Sequence, residues 1–161
     1  MPAKNHSARA AEFHLSSFLP FRLVAVSESV QRIFAVSYEG SLNLTIPEIR
    51  AMSVIAEFGT LSPTAVGQRT WMDKVKVSRA TQSLVAKGLV HQRPDPTDGR
   101  SRLLRLTRKG VATHARFVPL ATRLEAELFD GLSRADIAAL SRALTKITTR
   151  LETTGGTGQP G

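Results

Sequence analysis

The chain has 161 residues, no cysteine, 42% hydrophobic side chains and a formal charge of +9. That length and apolar content support one core-forming domain, or a small domain with helical appendages, and argue against wholesale disorder. With no thiol there is no disulfide, thiolate metal site, cysteine nucleophile or thiol switch; charges break every apolar run that could span a membrane, and no export signal opens the chain, so no membrane association and a cytoplasmic location are expected.

Residues 1–14 read as a disordered N-terminal segment, and residues 15–43 as a helix with its linker. In that helix, expected over 17–38, Leu19, Leu23, Val26, Val30, Ile33 and Phe34 recur at helical spacing, and Pro20 is tolerated in the first turn. The stretch from Gly40 to Asn43 is expected to end it. Thr45-Ile46-Pro47-Glu48 is a capping box with proline in the first turn, opening a short helix to Phe58. Ser62-Pro63 repeats the signal for a second helix over 63–70. Asp73 caps a third, from Lys74 to Lys87, with Val77, Ala80, Thr81 and Leu84 inward and Gly88 as a left-handed terminator.

Beyond Gly88 the pattern becomes strand-like. Residues 89–93 and 102–106 are short strands around a turn-rich tip, Pro94 to Ser101, and so predict a hairpin. Thr107 caps a helix toward Asp130, which Pro119 should kink or briefly interrupt. A last helix starts at Ser133, and its Ile137, Leu140, Leu144, Ile147 and Leu151 form a packing seam too short for an independent coiled coil. Residues 108–152 are therefore read as C-terminal dimerisation helices and 153–161 as a disordered tail. The fold expected is mainly α with a small β-wing: a winged helix-turn-helix over 44–107, flanked by N- and C-terminal helices that form a dimerisation region.

Charge sharpens this outline. Residues 1–68 and 110–161 are close to neutral, whereas residues 69–109 carry a net charge of +8. A generically basic surface would scatter its charges; this clustering points to a polyanionic partner, double-stranded DNA.

A helix fits the major groove, with its N-terminal half nearest the base edges. On helix 74–87, Lys74, Lys76, Ser78, Arg79 and Gln82 avoid the apolar stripe. Arg79 suits a bidentate contact to guanine and Gln82 an adenine. Arg100, between Gly99 and Ser101 at the hairpin tip, is suited to a narrow minor groove, with Arg102 beside it on the strand. Ser62 and Thr64, at a helix N-terminus, are placed for phosphate.

The ordered set Leu44-Thr45-x-Pro47-Glu48, Leu61-Ser62, Asp73-Lys74-x-x-Val77-Ser78-Arg79, Lys87-Gly88-Leu89-Val90, Arg93-x-Asp95, Asp98-x-Arg100-Ser101 and Leu106-Thr107-x-x-Gly110 resembles the MarR family of bacterial transcriptional regulators over roughly residues 15–152. Val75, Lys76 and Thr81 depart from the family's usual residues. The resemblance implies that Asp98 holds Arg100 in position. It also implies that the outer helices interleave in a homodimer, so that two recognition helices meet half-sites of a palindromic operator. Many relatives respond to small aromatic or amphipathic effectors, and Phe34, Tyr38, Met52, Trp71, His114 and Phe117 are the residues that could line such a cleft here, although each is also suited to plain core packing.

No cofactor is implied. His6, His14, His91 and His114 have no ligand-like spacing, so no metal site is expected. An enzyme acting on nucleic acid would need a convergent acid/base pair; the three aspartates of the basic stretch instead have jobs as cap and turn residues, so no catalytic residues are assigned. The sequence therefore points to a dimeric regulator, more readily a repressor. An architectural or non-specific DNA-binding protein without an effector is the alternative.

Overall fold

The computed structural model describes residues 13–98 and 101–155. After a 3-10 turn at Leu15–Ser17 come α1 (Leu19–Leu42), α2 (Ile46–Phe58), α3 (Pro63–Thr70) and α4 (Lys74–Ala86), then β1 (Val90–Pro94), β2 (Arg102–Leu106), α5 (Arg108–Leu128) and α6 (Arg134–Gly155). The mostly helical architecture with one small antiparallel sheet matches the expected fold class. Contacts divide the chain into one unit ending at Phe117 and a second starting at Val118.

The first unit is built on short, well-capped helices. Thr45 and Glu48 form the reciprocal capping box: the Thr45 amide donates to the Glu48 carboxylate at 2.7 Å, and the Glu48 amide donates to the Thr45 hydroxyl at 3.5 Å. Ser62 Oγ accepts from the Ala65 amide, and Asp73 Oδ1 from the Lys76 amide. Helix α4 ends in a Schellman arrangement. The Gly88 amide donates to the Val85 carbonyl, the Leu89 amide to the Leu84 carbonyl, and Gly88 takes the expected left-handed φ of 70°.

Leu44, Met52, Ile55, Val66, Leu84 and Leu104 are the largest fully buried side chains, one or more from each element of the helix-turn-helix and the wing. They fix α2, α3, α4 and the hairpin around a common core, joined by Tyr38 from α1. The hairpin pairs Val90 with Leu106 and Pro94 with Arg102 in antiparallel register. A bridge between Leu61 and Leu104, with hydrogen bonds of 3.1 and 2.8 Å, ties the α2–α3 connection to the edge of β2 away from β1.

Two boundaries differ from expectation. Helix α1 runs through Gly40 to Leu42, because glycine is tolerated in a last turn; the stop is Asn43, left-handed at φ 54°, whose amide closes on the Glu39 carbonyl. Helix α6 continues through Gly155, with the Thr153 and Thr154 hydroxyls donating to the Arg150 carbonyl, so the start of the expected tail is helical. Residues 1–12 and 156–161 of the two expected tails lie outside the described residues.

Helix α5 is capped by Thr107, whose Oγ accepts from the Gly110 amide at 2.9 Å, and it is not interrupted at Pro119. The proline lacks only its own N–H, so one bond of the ladder is lost while neighbouring turns continue. In the second unit Leu124 is buried. The α6 seam residues Ile137, Leu140, Leu144, Ile147 and Leu151 are 36–59% exposed. In the first unit, the start of α1 likewise leaves Phe18, Leu19, Phe21, Leu23, Val24 and Val26 exposed. Both rows are apolar faces without cover.

Candidate nucleic-acid interface

Helix α4 owes its orientation to its two ends and its inner stripe. Asp73 caps the start, and hydrogen bonding from the Lys76 amide, assisted by the Lys76 charge, keeps its carboxyl below the ordinary aspartate range. At the other end, Lys109 Nζ donates to the Lys87 carbonyl at 2.8 Å, placing a cation at the negative end of the helix dipole. Val77, Ala80, Thr81 and Leu84 are buried; the Thr81 hydroxyl is satisfied by the Val77 carbonyl at 2.8 Å. Thr81 thus serves as a core residue despite its polarity.

The opposite face is open. Lys74, Lys76, Ser78, Arg79 and Gln82 are all exposed. Gln82 Nε2 donates to Ser78 Oγ at 3.2 Å, which pre-orients the amide while leaving its oxygen and second hydrogen free for a base edge. Lys76 lies 3.3 Å from Asp73, an exposed pair too weak to keep the ammonium from a phosphate. Among the described residues, no ion pair engages Lys74 or Arg79.

Ser62 is half-buried with its oxygen occupied as a cap acceptor, so its hydroxyl proton remains available to a phosphate; Thr64 is exposed one turn-step away. In the wing, the Asp95 amide donates to the Ser101 carbonyl and the Ser101 amide to the Asp98 carbonyl, closing the tip. The Thr97 hydroxyl and amide both donate to Asp95 Oδ1, and these bonds lower its carboxyl's pKa. Asp98 and Arg102 are exposed, while Gly99 and Arg100 lie outside the described residues. Strand alternation sends Arg93 and Arg105 to the face opposite the one that carries Val90 and Leu104; neither is among the DNA contacts expected from the sequence.

The aromatic residues proposed for a cleft separate into two groups. Phe34, Tyr38, Phe117 and His114 form a chain of rings with successive centroids 5.7, 5.4 and 5.7 Å apart. His114 and Phe117 also line a cleft of about 390 Å³ with Ser53, Ala56, Glu57, Leu106 and Val111. Burial lowers the pKa of His114, favouring its neutral form, and raises that of Tyr38. Ser53 Oγ is buried at this wall without a hydrogen-bond partner. Met52 is fully buried in the core and Trp71, left-handed at φ 59°, is exposed at the end of α3; neither lines the cleft. Ser53 escaped sequence reading because a serine on a helix carries no signal of its own.

Comparison with known proteins points to one family. Residues 42–101, the segment from the end of α1 to the wing tip, match the model of the MarR family. The HTH-type transcriptional repressor IacR of Pseudomonas putida is 24% identical over 153 residues, covering 92% of this chain and 89% of IacR. Over residues 42–101 the chain is similar to the MarR family. Its fold is that of the winged helix-turn-helix relatives. Among solved MarR-like structures, Bordetella bronchiseptica BpsR, whose DNA binding is regulated by 6-hydroxynicotinic acid, superposes with a TM-score of 0.79 at 26% identity, over 85% of this chain and 97% of BpsR. A mutant MarR from E. coli, complexed with operator DNA, has the same fold, with a TM-score of 0.75 at 24% identity over 85% and 99% of the two chains.

Proposed function

We propose that this chain is a homodimeric repressor of the MarR family that occupies a palindromic operator and is released by a small aromatic or amphipathic compound. It acts by binding and not by catalysis. The observation that carries the reading is the open, acid-poor face of α4, with Arg79 outside any ion pair among the described residues and Gln82 pre-oriented beside it. Lys74, Lys76, Ser62, Thr64 and Arg102 would hold phosphates around that reader. Arg100, positioned by Asp98, would enter the minor groove.

The uncovered apolar faces of α1 and α6 support a dimer, since rows of exposed Leu, Ile, Val and Phe are costly in water and mark a partner surface. Two-fold symmetry would set the two α4 helices on half-sites about one DNA turn (~34 Å) apart. The likeness to IacR supports repression. Effector release is supported by the likeness to BpsR and by the cleft at His114 and Phe117, backed by Phe34 and Tyr38. A ligand there acts only if it binds the DNA-competent and incompetent states with different affinity.

DNA selected from a random pool should carry an inverted repeat with half-sites one turn apart, and sedimentation at micromolar concentration should give a dimer. A folded monomer, or a selected pool with no inverted repeat, would refute the symmetric-operator reading. Aromatic carboxylic acids and phenols titrated into the complex should release DNA; saturating ligand without any change in affinity would rule out this effector class.

A further inference from the structure

The exposed face of α4 contains one side chain that a polar reading leaves unexplained. Val75 is 58% exposed, in the first turn of the helix, between Lys74 and Lys76. A single exposed valine on an ordinary surface needs no explanation. Its position on this helix does. At about 100° per residue, the buried stripe of Val77, Ala80, Thr81 and Leu84 centres almost diametrically opposite Val75. Val75 therefore stands at the pole of the face turned away from the protein. Arg79 and Gln82, one and two turns further along, fall within roughly 40° of it, while Lys74 and Lys76 flank it by about 100° on either side.

This arrangement gives α4 an apolar point on the axis of its reading face, with Lys74 and Lys76 displaced to the edges. When the helix enters a major groove, the edge cations meet the two phosphate walls and the pole meets the floor. The hydrogen-bonding edges of the bases offer nothing to a valine. The apolar feature of that floor is the methyl group at C5 of a pyrimidine. Valine's branched, stiff side chain presents two methyl groups without rotamer freedom to lose, so it suits a fixed apolar contact. Its modest helix propensity gives no local reason for its presence at an exposed site.

We propose that Val75 is a specificity residue that packs on a pyrimidine 5-methyl group, next to the base pair contacted by Arg79. The inference rests on α4 being the operator reader and adds the base preference that the polar residues cannot supply. Thymine and 5-methylcytosine carry the same methyl group at the same position in the groove, so either base offers the contact, and the two are separated by substitution in the DNA.

The test is a double-mutant cycle on the selected operator. At each thymine of a half-site, deoxyuridine removes the methyl group and nothing else. For one such position, placed symmetrically in both half-sites, wild-type protein should bind the thymine duplex about fourfold more tightly per half-site, roughly 15-fold over the dimer, the size expected for one buried methyl group. Val75→Ala should bind thymine and uracil duplexes nearly alike, with its fold unchanged by circular dichroism because Val75 lies outside the core. Cytosine at that position, with and without its 5-methyl group, then tells whether the methyl alone restores affinity or whether thymine's O4 is also read; restoration by 5-methylcytosine is expected for wild type and not for the variant. If no thymine in a preferred site shows the methyl effect, or if Val75→Ala keeps it in full, the proposal is overturned while operator binding stands. Failure to select any preferred site would overturn the operator reading itself, and this inference with it.

Discussion

Lys87, the C-cap of α4, grips Glu48 at the start of α2: its ammonium donates to both carboxylate oxygens at 2.8 and 2.9 Å. It also donates to the Asn43 carbonyl at 2.8 Å, where α1 ends. Glu48 is only 3% exposed and completes the Thr45 capping box with the same carboxylate. One cation therefore locks the exit of α4 to the entrance of α2. Removing one partner leaves a buried charge without compensation, so Lys87→Ala should destabilise the protein by roughly 3 kcal/mol in urea denaturation. A cost near zero would mean that solvent replaces the contact.

The same pair predicts an acid dependence. Burial alone would raise the Glu48 pKa, but hydrogen bonds from Lys87, Ser83 and the Thr45 amide, with the Lys87 charge, hold it below the ordinary glutamate value. A carboxylate with a depressed folded pKa contributes stability above its unfolded pKa, and that contribution is lost as pH falls through the folded one. Denaturation midpoints should drop as pH is lowered from neutrality through and below the ordinary glutamate range. Glu48→Gln should be less stable at neutral pH and should show a flatter acid limb; an unchanged limb would assign the acid sensitivity to other groups.

Among the described glycines, Gly110 leaves the least room for a side chain. A Cβ there would sit 2.0 Å from the Leu89 carbonyl oxygen and 3.0 Å from its carbon. That carbonyl already accepts from the Thr107 amide, so it cannot move without opening the junction of the hairpin and α5. Gly110→Ala should therefore cost about 1–3 kcal/mol, the usual penalty for overpacking, measured as a lowered melting temperature. Gly40→Ala, where nothing lies within reach of a Cβ, is the control and should be neutral or slightly stabilising.

On DNA, Arg79→Ala should relax base preference at one position per half-site by roughly 1–3 kcal/mol, whereas Lys74→Ala should weaken every sequence alike and lower the salt slope by about one per contact. Competition binding against single-base variants of the selected site separates these outcomes. Equal loss on all sequences for Arg79→Ala would assign Arg79 to the backbone instead.

For the dimer, Leu144→Glu places a charge in the α6 seam, where Leu144 is 45% exposed in the single chain. Burial of an unpaired charge against a partner should weaken association by about 3 kcal/mol, read as a shift toward monomer in sedimentation. An unaltered dimer would exclude this seam from the interface.

Much of this was legible in the chain because the signals are local. The capping box at Thr45 and Glu48, the Asp73 cap, Gly88 as terminator and the apolar stripe of α4 each occupy a few consecutive positions. What escaped reading is long-range. Nothing near Lys87 announces a partner 39 residues away, and nothing near Gly110 announces the Leu89 carbonyl above it. Gly40 misled because glycine signals a break, while the φ it would permit is taken by Asn43 instead. Trp71 looked like a cleft aromatic because size suggests burial, yet it caps α3 in the open. The polar members of the open face of α4 stood out by avoiding its apolar stripe; Val75 did not, since its meaning depends on which way the helix faces.

The central claim is that α4 reads a particular operator and does not merely adhere to DNA. It is tested most directly by fluorescence-anisotropy titration of the selected site against a scrambled duplex of the same length and composition at one physiological salt concentration. The selected site should bind ~10³-fold or more tightly than the scrambled duplex. Equal affinities for the two duplexes would contradict it.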